Sequence, residues 1–232
     1  MSNATKIIIP EMPPLEREMI ALRIANMLED GSYVNLGIGI PTLVSNWIEG
    51  RDIILQAEIG MLKCGPLAED ELIDQDRINA SCQYVCEMPG SSYFPIETSF
   101  AMIRGGRMDV AVLGALQVSA RGDLAGWNNP ARGLGSVGNI GGSMDLAVGA
   151  KKVIIAMEHV TTSGEAKILR ECTYPLTAKA CVDVIVTNYA LIEVTAKGLV
   201  LKEAIPGITA DDIVKMTDAP LIIADDFHEM EL

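Results

Sequence analysis

The chain has 232 residues, 49% hydrophobic but only 4% aromatic, with 18 Lys and Arg against 31 Asp and Glu for a formal charge of −13. That length supports one large α/β domain packed from aliphatic side chains, and so acidic a balance argues against nucleic acid, whose phosphates it would repel. No run of about 18 apolar residues and no charged-then-apolar leader is present, and five cysteines without Cys-x-x-Cys spacing, beside only His159 and His228, speak against zinc and for free, mostly buried thiols in a reducing cytoplasm.

Residues 1–4, with Ser2-Asn3-Ala4, read as a cloning scar, and 5–232 as a single domain. Pro13-Pro14 precedes a predicted helix over 15–28, with Leu15, Met19 and Leu22 on one face and Asp30-Gly31 as its stop. Tyr33-Val34-Asn35-Leu36 predicts a short strand running into Gly37-Ile38-Gly39-Ile40. Pro41 then opens a helix through Trp47 and Ile48, closed by Gly50. Next comes Asp52-Ile53-Ile54-Leu55-Gln56-Ala57-Glu58, an apolar, isoleucine-rich run ending in a lone carboxylate before Ile59-Gly60. Such a run predicts a buried strand of a parallel sheet. Ligands of open α/β sheets bind at the carboxyl ends of the strands, so Glu58 is aimed at the place where chemistry would occur. The plain alternative is a solvated glutamate that ends a strand.

The rhythm repeats through the middle. A helix is expected over 99–104, closed by Gly105-Gly106, then a strand over 110–113, a helix over 144–148 and a strand over 152–157. Alternation of this kind predicts an open, mostly parallel sheet with flanking helices. In the last third, 182–187, 190–195 and 199–203 read as three short strands, with turn chemistry at Asn188 and Lys197-Gly198, forming an antiparallel extension. A short helix over 211–216 precedes Leu221-Ile222-Ile223.

Gly133-Leu134-Gly135-Ser136-Val137-Gly138 matches G-x-G-x-x-G literally, with Glu158 beyond it. The dinucleotide fingerprint needs a strand directly before it, and Asn128-Asn129-Pro130-Ala131-Arg132 is loop chemistry, so that reading is set aside. Gly135, Gly138, Gly141 and Gly142 instead let backbone N–H groups approach a ligand before the chain enters Ser143-Met144-Asp145. They suit an oxyanion hole or a cradle for an acyl group, and Gly37-Ile38-Gly39, at another strand end, lines the same crevice in this reading. A surface loop using glycine only for turns is the alternative.

These residues resemble family I CoA-transferases, specifically their B (β) subunit, whose members include the 3-oxoacid and the acetate or butyrate–acetoacetate CoA-transferases. The carriers are Asn35-Leu36-Gly37-Ile38-Gly39-Ile40-Pro41, Glu58-x-Gly60 and Ser99-Phe100-Ala101-Met102-Ile103-Arg104-Gly105-Gly106. Further carriers are Leu113-Gly114-Ala115-Leu116-Gln117-Val118, Gly122-Asp123-Leu124-Ala125-Gly126-Trp127, Gly141-Gly142-Ser143-Met144-Asp145-Leu146, Gly149-Ala150-Lys151-Lys152-Val153-Ile154 and Met157-Glu158-His159.

The resemblance implies a NagB/RpiA/CoA-transferase-like fold and a place in short-chain fatty acid or ketone body metabolism. It implies that Glu58 is the nucleophile of a ping-pong CoA transfer from an acyl-CoA, such as acetoacetyl- or succinyl-CoA, to a short-chain carboxylate. The intermediates would be an acyl–glutamyl anhydride and a glutamyl–CoA thioester. Gly37, Ile38, Gly39, Gly60, Gly138, Gly141 and Gly142 are then the oxyanion- or CoA-binding residues. Coenzyme A is a substrate, with no metal or other cofactor implied. The chain reads as half an enzyme, completed by an A (α) subunit in a hetero-oligomer of two A and two B chains (A2B2). Two departures flank the carboxylate: Ile59 stands where Asn is usual, and Lys63-Cys64 where small residues are usual. Lys63 would meet a CoA phosphate or a substrate carboxylate, or else stand as a solvated charge. His159 is read as structural, since the implied chemistry abstracts no proton. The runner-up functions are CoA-ester hydrolysis on the same fold, a divergent non-catalytic regulatory role, and an isomerase of the ribose-5-phosphate isomerase type.

Overall fold

The computed structural model describes residues 13–79, 81–130, 133 and 140–232, so residues 1–4, read above as a scar, and Gly135 and Gly138 of the glycine-rich segment lie outside the described residues. Aliphatic runs build the centre of a ten-stranded sheet. Five strands there run parallel: β1 (Tyr33–Leu36), β2 (Ile54–Ala57), β5 (Val110–Leu113), β8 (Lys152–Met157) and β10 (Val184–Thr187). Their spatial order is β10-β8-β5-β1-β2. β5 and β10 are buried along their whole length, as strands covered on both faces must be.

The flanks differ from expectation in two ways. β10 begins at Val184 and belongs to the parallel core, so the antiparallel extension is only β11 (Ala190–Thr195) and β12 (Gly198–Ala204). β13 (Leu221–Glu229) then returns parallel to β12, after α4 (Ala210–Met216) makes the crossover. On the far side, β3 (Met61–Leu67) and β4 (Val85–Tyr93) add an antiparallel pair that the sequence pattern did not predict. The reason is local. Lys63 takes a left-handed φ of 58°, the β3–β4 register shifts twice, and β4 is mostly exposed with Pro89-Gly90 in its middle, so no alternation survives.

The first helix, α1 (Arg17–Ala25), is shorter than expected and turns a different stripe inward. Ile20 and Ile24, one turn apart, are fully buried, while Leu15, Met19 and Leu22 are half-buried beside them. The segment opened by Pro41 is a 3-10 helix, Ile40–Trp47, capped by Gly39 at φ 92°. A second, small sheet of β6 (Gln117–Ser119), β7 (Leu124–Ala125) and β9 (Ile168–Leu169) lies apart from the main one and was not foreseen. Its strands are too short to show a period. Two helices pack against each other beside the sheet, α2 (Ile96–Arg104) and α3 (Ser143–Gly149). The five thiols are free, but Cys82 is exposed and the other four are half-buried, so "mostly buried" is corrected to partly buried.

His159, just past β8, is fully buried, with Nδ1 3.0 Å from Thr187 Oγ1 and Nε2 2.9 Å from Thr217 Oγ1. Burial, and then the nearby Lys167 charge, push its pKa down to about 4. Between that value and the ordinary one near 6.5, the unfolded chain takes a proton that the folded chain refuses. Stability therefore falls as the pH drops through this window, by up to about 1.4 kcal/mol per pH unit. Urea midpoints of the native protein and His159→Gln are expected to converge between pH 7 and pH 5. A gap that stays constant would refute this account.

Candidate active site

The strand order creates the crevice. From β1 the chain moves to β2 on one side, whereas β5 leads to β8 on the other, so the loops leaving β1 and β5 diverge. That divergence at the carboxyl ends is a topological switch point, where α/β sheets open a ligand site. The cleft has a volume of about 320 Å³. Its floor comes from Gly37-Ile38 after β1, Glu58 after β2, and the 113–116 turn after β5. Facing these are the 140–143 segment leading into α3, Leu124 of β7 in the small sheet, and Gly126 and Thr177 beside it. Gly37 is needed for closeness: its N–H donates to Val112 O at 2.8 Å, and a Cβ there would lie 3.2 Å from the same oxygen.

Glu58 is half-buried, one residue beyond the end of β2. Among the described residues its hydrogen-bond donor is the Gly142 N–H, 3.4 Å from Oε1. The bare backbone of the glycine pair lies against the carboxylate. A Cβ on Gly142 would stand 3.0 Å from Glu58 Cδ, and one on Gly141 3.6 Å from Oε1. Burial raises the Glu58 pKa, and the Gly142 N–H opposes that in part. A carboxylate stripped of some hydration, with one long hydrogen bond among the described residues, is in the condition in which a carboxylate can attack an electrophilic carbonyl.

Of the residues expected at this site, Gly37, Ile38, Gly141 and Gly142 line the cleft with Glu58. Gly39 does not line it; it caps the 3-10 helix and is exposed. Gly60 is buried behind the cleft. Its N–H donates to Ala57 O and its carbonyl accepts from Phe94 N, and at φ 126° a Cβ would come within 2.2 Å of Phe94 O. It makes the turn that presents Glu58. Lys63 is exposed on β3 outside the cleft lining, its ammonium near Gly90 of β4. Gly138 lies outside the described residues. Sequence reasoning missed Gly114, Gly126 and Thr177 as cleft residues. Gly114 carried the same signal as Gly37, a glycine directly after a buried strand. Thr177, whose Oγ1 accepts from Gly126 N at 3.0 Å, carried none.

Comparison with known proteins agrees with this architecture. A sequence model of the family described as "Coenzyme A transferase" matches residues 17–216. The B-type chain of the 3-oxoadipate CoA-transferase of Pseudomonas putida is 46% identical over 208 residues, covering 90% of this chain and 97% of that one. The B-type chain of the succinyl-CoA:3-ketoacid coenzyme A transferase of Helicobacter pylori is 43% identical over 203 residues, covering 88% and 97%. Among solved structures, the acyl-CoA transferase YdiF apoenzyme of Escherichia coli O157:H7 superposes with a TM-score of 0.75 at 20% identity, a likeness of fold alone. The match covers 97% of this chain but 45% of the YdiF chain, so this chain spans about half of that protein.

Proposed function

The chain belongs to the coenzyme A transferase family as a relative of its β subunits, and from that premise we propose that Glu58 is the nucleophile of a ping-pong transfer of CoA between an acyl-CoA and a short-chain carboxylate. The observation that carries this reading is a half-buried carboxylate at a strand end, in a switch-point cleft, faced by the side-chain-free Gly141-Gly142 backbone.

The steps balance without a redox partner. A Glu58 oxygen attacks the thioester carbonyl, the C–S bond breaks, and CoA thiolate leaves an acyl–glutamyl anhydride. The thiolate then attacks the glutamyl carbonyl. In that tetrahedral intermediate the negative charge sits on a glutamyl oxygen, and the Gly142 N–H already faces Oε1. A donor so placed contributes about 2.7–4 kcal/mol to the transition state. The acyl carboxylate departs, leaving a glutamyl–CoA thioester. A second carboxylate reverses the sequence and leaves as a new acyl-CoA. The apolar walls at Leu113, Leu116, Leu124 and Leu146 keep water from competing for the anhydride.

The proposed partner is an α subunit (A) in an A2B2 assembly. Ile38, Ile59, Ile140 and Met144, next to or lining the cleft, are exposed in this chain, which supports an apolar contact there. Five free thiols support a reducing, cytoplasmic location. For the acyl group, the names of the relatives point to 3-oxo acids and succinate.

The test is the mass of the Glu58 peptide after the chain, assembled with its α subunit, meets acetoacetyl-CoA and is quenched with borohydride. Reduction of a thioester to the alcohol at Glu58 is expected. An unmodified peptide with steady CoA release would point to hydrolysis instead. The pH dependence has a definite sign. Attack needs ionised Glu58, and burial lifts its pKa above 4.5, so the rate of thioester formation should fall on the acid side at a pH above the ordinary glutamate range. A rate unchanged down to that range would contradict the buried nucleophile.

A further inference from the structure

Two ties run from α2 to the two ends of the Glu58–Gly142 hydrogen bond. The first holds β2. Gln56, two residues before Glu58 and 3% exposed, donates from Nε2 to Ser99 Oγ of α2 at 2.9 Å. Its Oε1 accepts from Asn35 Nδ2 of β1 at 2.8 Å. The second tie holds α3. Arg104 Nε donates to Asp145 Oδ1 at 2.7 Å, and Gly149 approaches α2 so closely that a Cβ would meet Ile103 O at 2.4 Å. Gly142 is the residue directly before α3.

Asn35, Gln56 and Ser99 are all buried, and Asn35 Oδ1 has no hydrogen-bond partner among the described residues. Three apolar side chains would fill this sheet–helix contact without that penalty. They would not supply direction, because apolar burial is non-directional whereas a hydrogen bond specifies distance and angle.

We propose that Gln56 and Ser99 are positioning residues, which lock the end of β2 to α2 so that α2, through α3, sets the Glu58 carboxylate against the Gly142 N–H. The proposal rests on the reading of Glu58 as nucleophile. At 3.4 Å the N–H stands slightly beyond a normal hydrogen bond. A few tenths of an ångström separate that resting geometry from the contact needed when charge develops on Oε1. A slack joint at Gln56 would spend that margin in random displacement of Glu58.

The test is single-turnover formation of the Glu58–CoA thioester, followed by mass in the complex with its α subunit at saturating acyl-CoA. Gln56→Met and Ser99→Ala are each expected to slow it about 10- to 100-fold, with the half-saturating acyl-CoA concentration changed no more than about twofold, as for a loss expressed in the transition state. Both variants cut the Gln56–Ser99 bond, and Gln56→Met also removes the acceptor of Asn35 Nδ2, so the double variant should be no slower than Gln56→Met alone. Ser99→Thr, which keeps the hydroxyl, should recover most of the rate. Unchanged rates in the single variants, or slowing that multiplies in the double one, overturn the proposal. If Gln56→Met does not assemble, Ser99→Ala against Ser99→Thr decides alone, and equal rates in those two overturn it. Absence of thioester in the native complex would instead remove the Glu58 reading, an outcome separate from all of these.

Discussion

Glu58→Gln is expected to reduce CoA transfer by at least about 10⁴-fold, the scale on which removal of a covalent nucleophile acts, and to eliminate the borohydride-reducible adduct. The amide keeps the shape of the side chain but has no anionic oxygen to attack a thioester. The same variant should fold at least as well as the native chain. Folded Glu58 has a raised pKa because burial disfavours its charge. The folded state thus binds this proton more tightly than the unfolded state, and the ionised group subtracts stability at neutral pH. Removing the charge removes that cost, so the urea midpoint at pH 7 should hold or rise. Loss of activity together with a fallen midpoint would indicate a structural role for Glu58 instead.

Gly142→Ala is expected to cost about 10²-fold in turnover, the size associated with misplacing a reacting group or losing one oxyanion donor. The new Cβ would stand 3.0 Å from Glu58 Cδ and 3.1 Å from Oε1, inside ordinary van der Waals distance. Either the carboxylate moves or the loop does, and both disturb the contact with the Gly142 N–H. The backbone gives the substitution no other reason to harm the protein. Gly142 sits at φ −80°, ψ 0°, a negative φ open to alanine and not the left-handed region that favours glycine. Thermal stability should therefore be near native while single-turnover thioester formation slows. Native turnover in Gly142→Ala would mean that the carboxylate works from a different rotamer.

Much of the parallel core was legible because its physics is local. Val110–Leu113 and Lys152–Met157 are aliphatic runs whose bounds in the structure coincide with those expected from sequence. Burial on both faces demands near-continuous apolar residues, and such a run announces itself. The β3–β4 pair was not legible, because the edge strand β4 is mostly exposed and carries Pro89-Gly90, and the left-handed Lys63 breaks the alternation of β3. The stripe of α1 was misplaced by a few residues because both faces of that helix carry aliphatic side chains, and only the packing partner distinguishes them.

The sequence by itself determined that a carboxylate ends a buried parallel strand and that glycines follow two of the strands, since strand burial and backbone freedom depend on near neighbours. It also carried enough motifs in order to place the chain in its family. Tertiary structure alone decided which glycine meets the carboxylate. Gly142 reaches Glu58 across 84 residues, whereas Gly39 and Gly60, near Glu58 in sequence or in motif, cap a helix and close a turn. That choice follows from where α3 begins relative to the end of β2, and this depends on how closely α2 and α3 pack through Gly149 and on the hydrogen bond that ties Gln56 to Ser99. Contacts of that kind form only when distant segments are brought together, so no window of the chain encodes them.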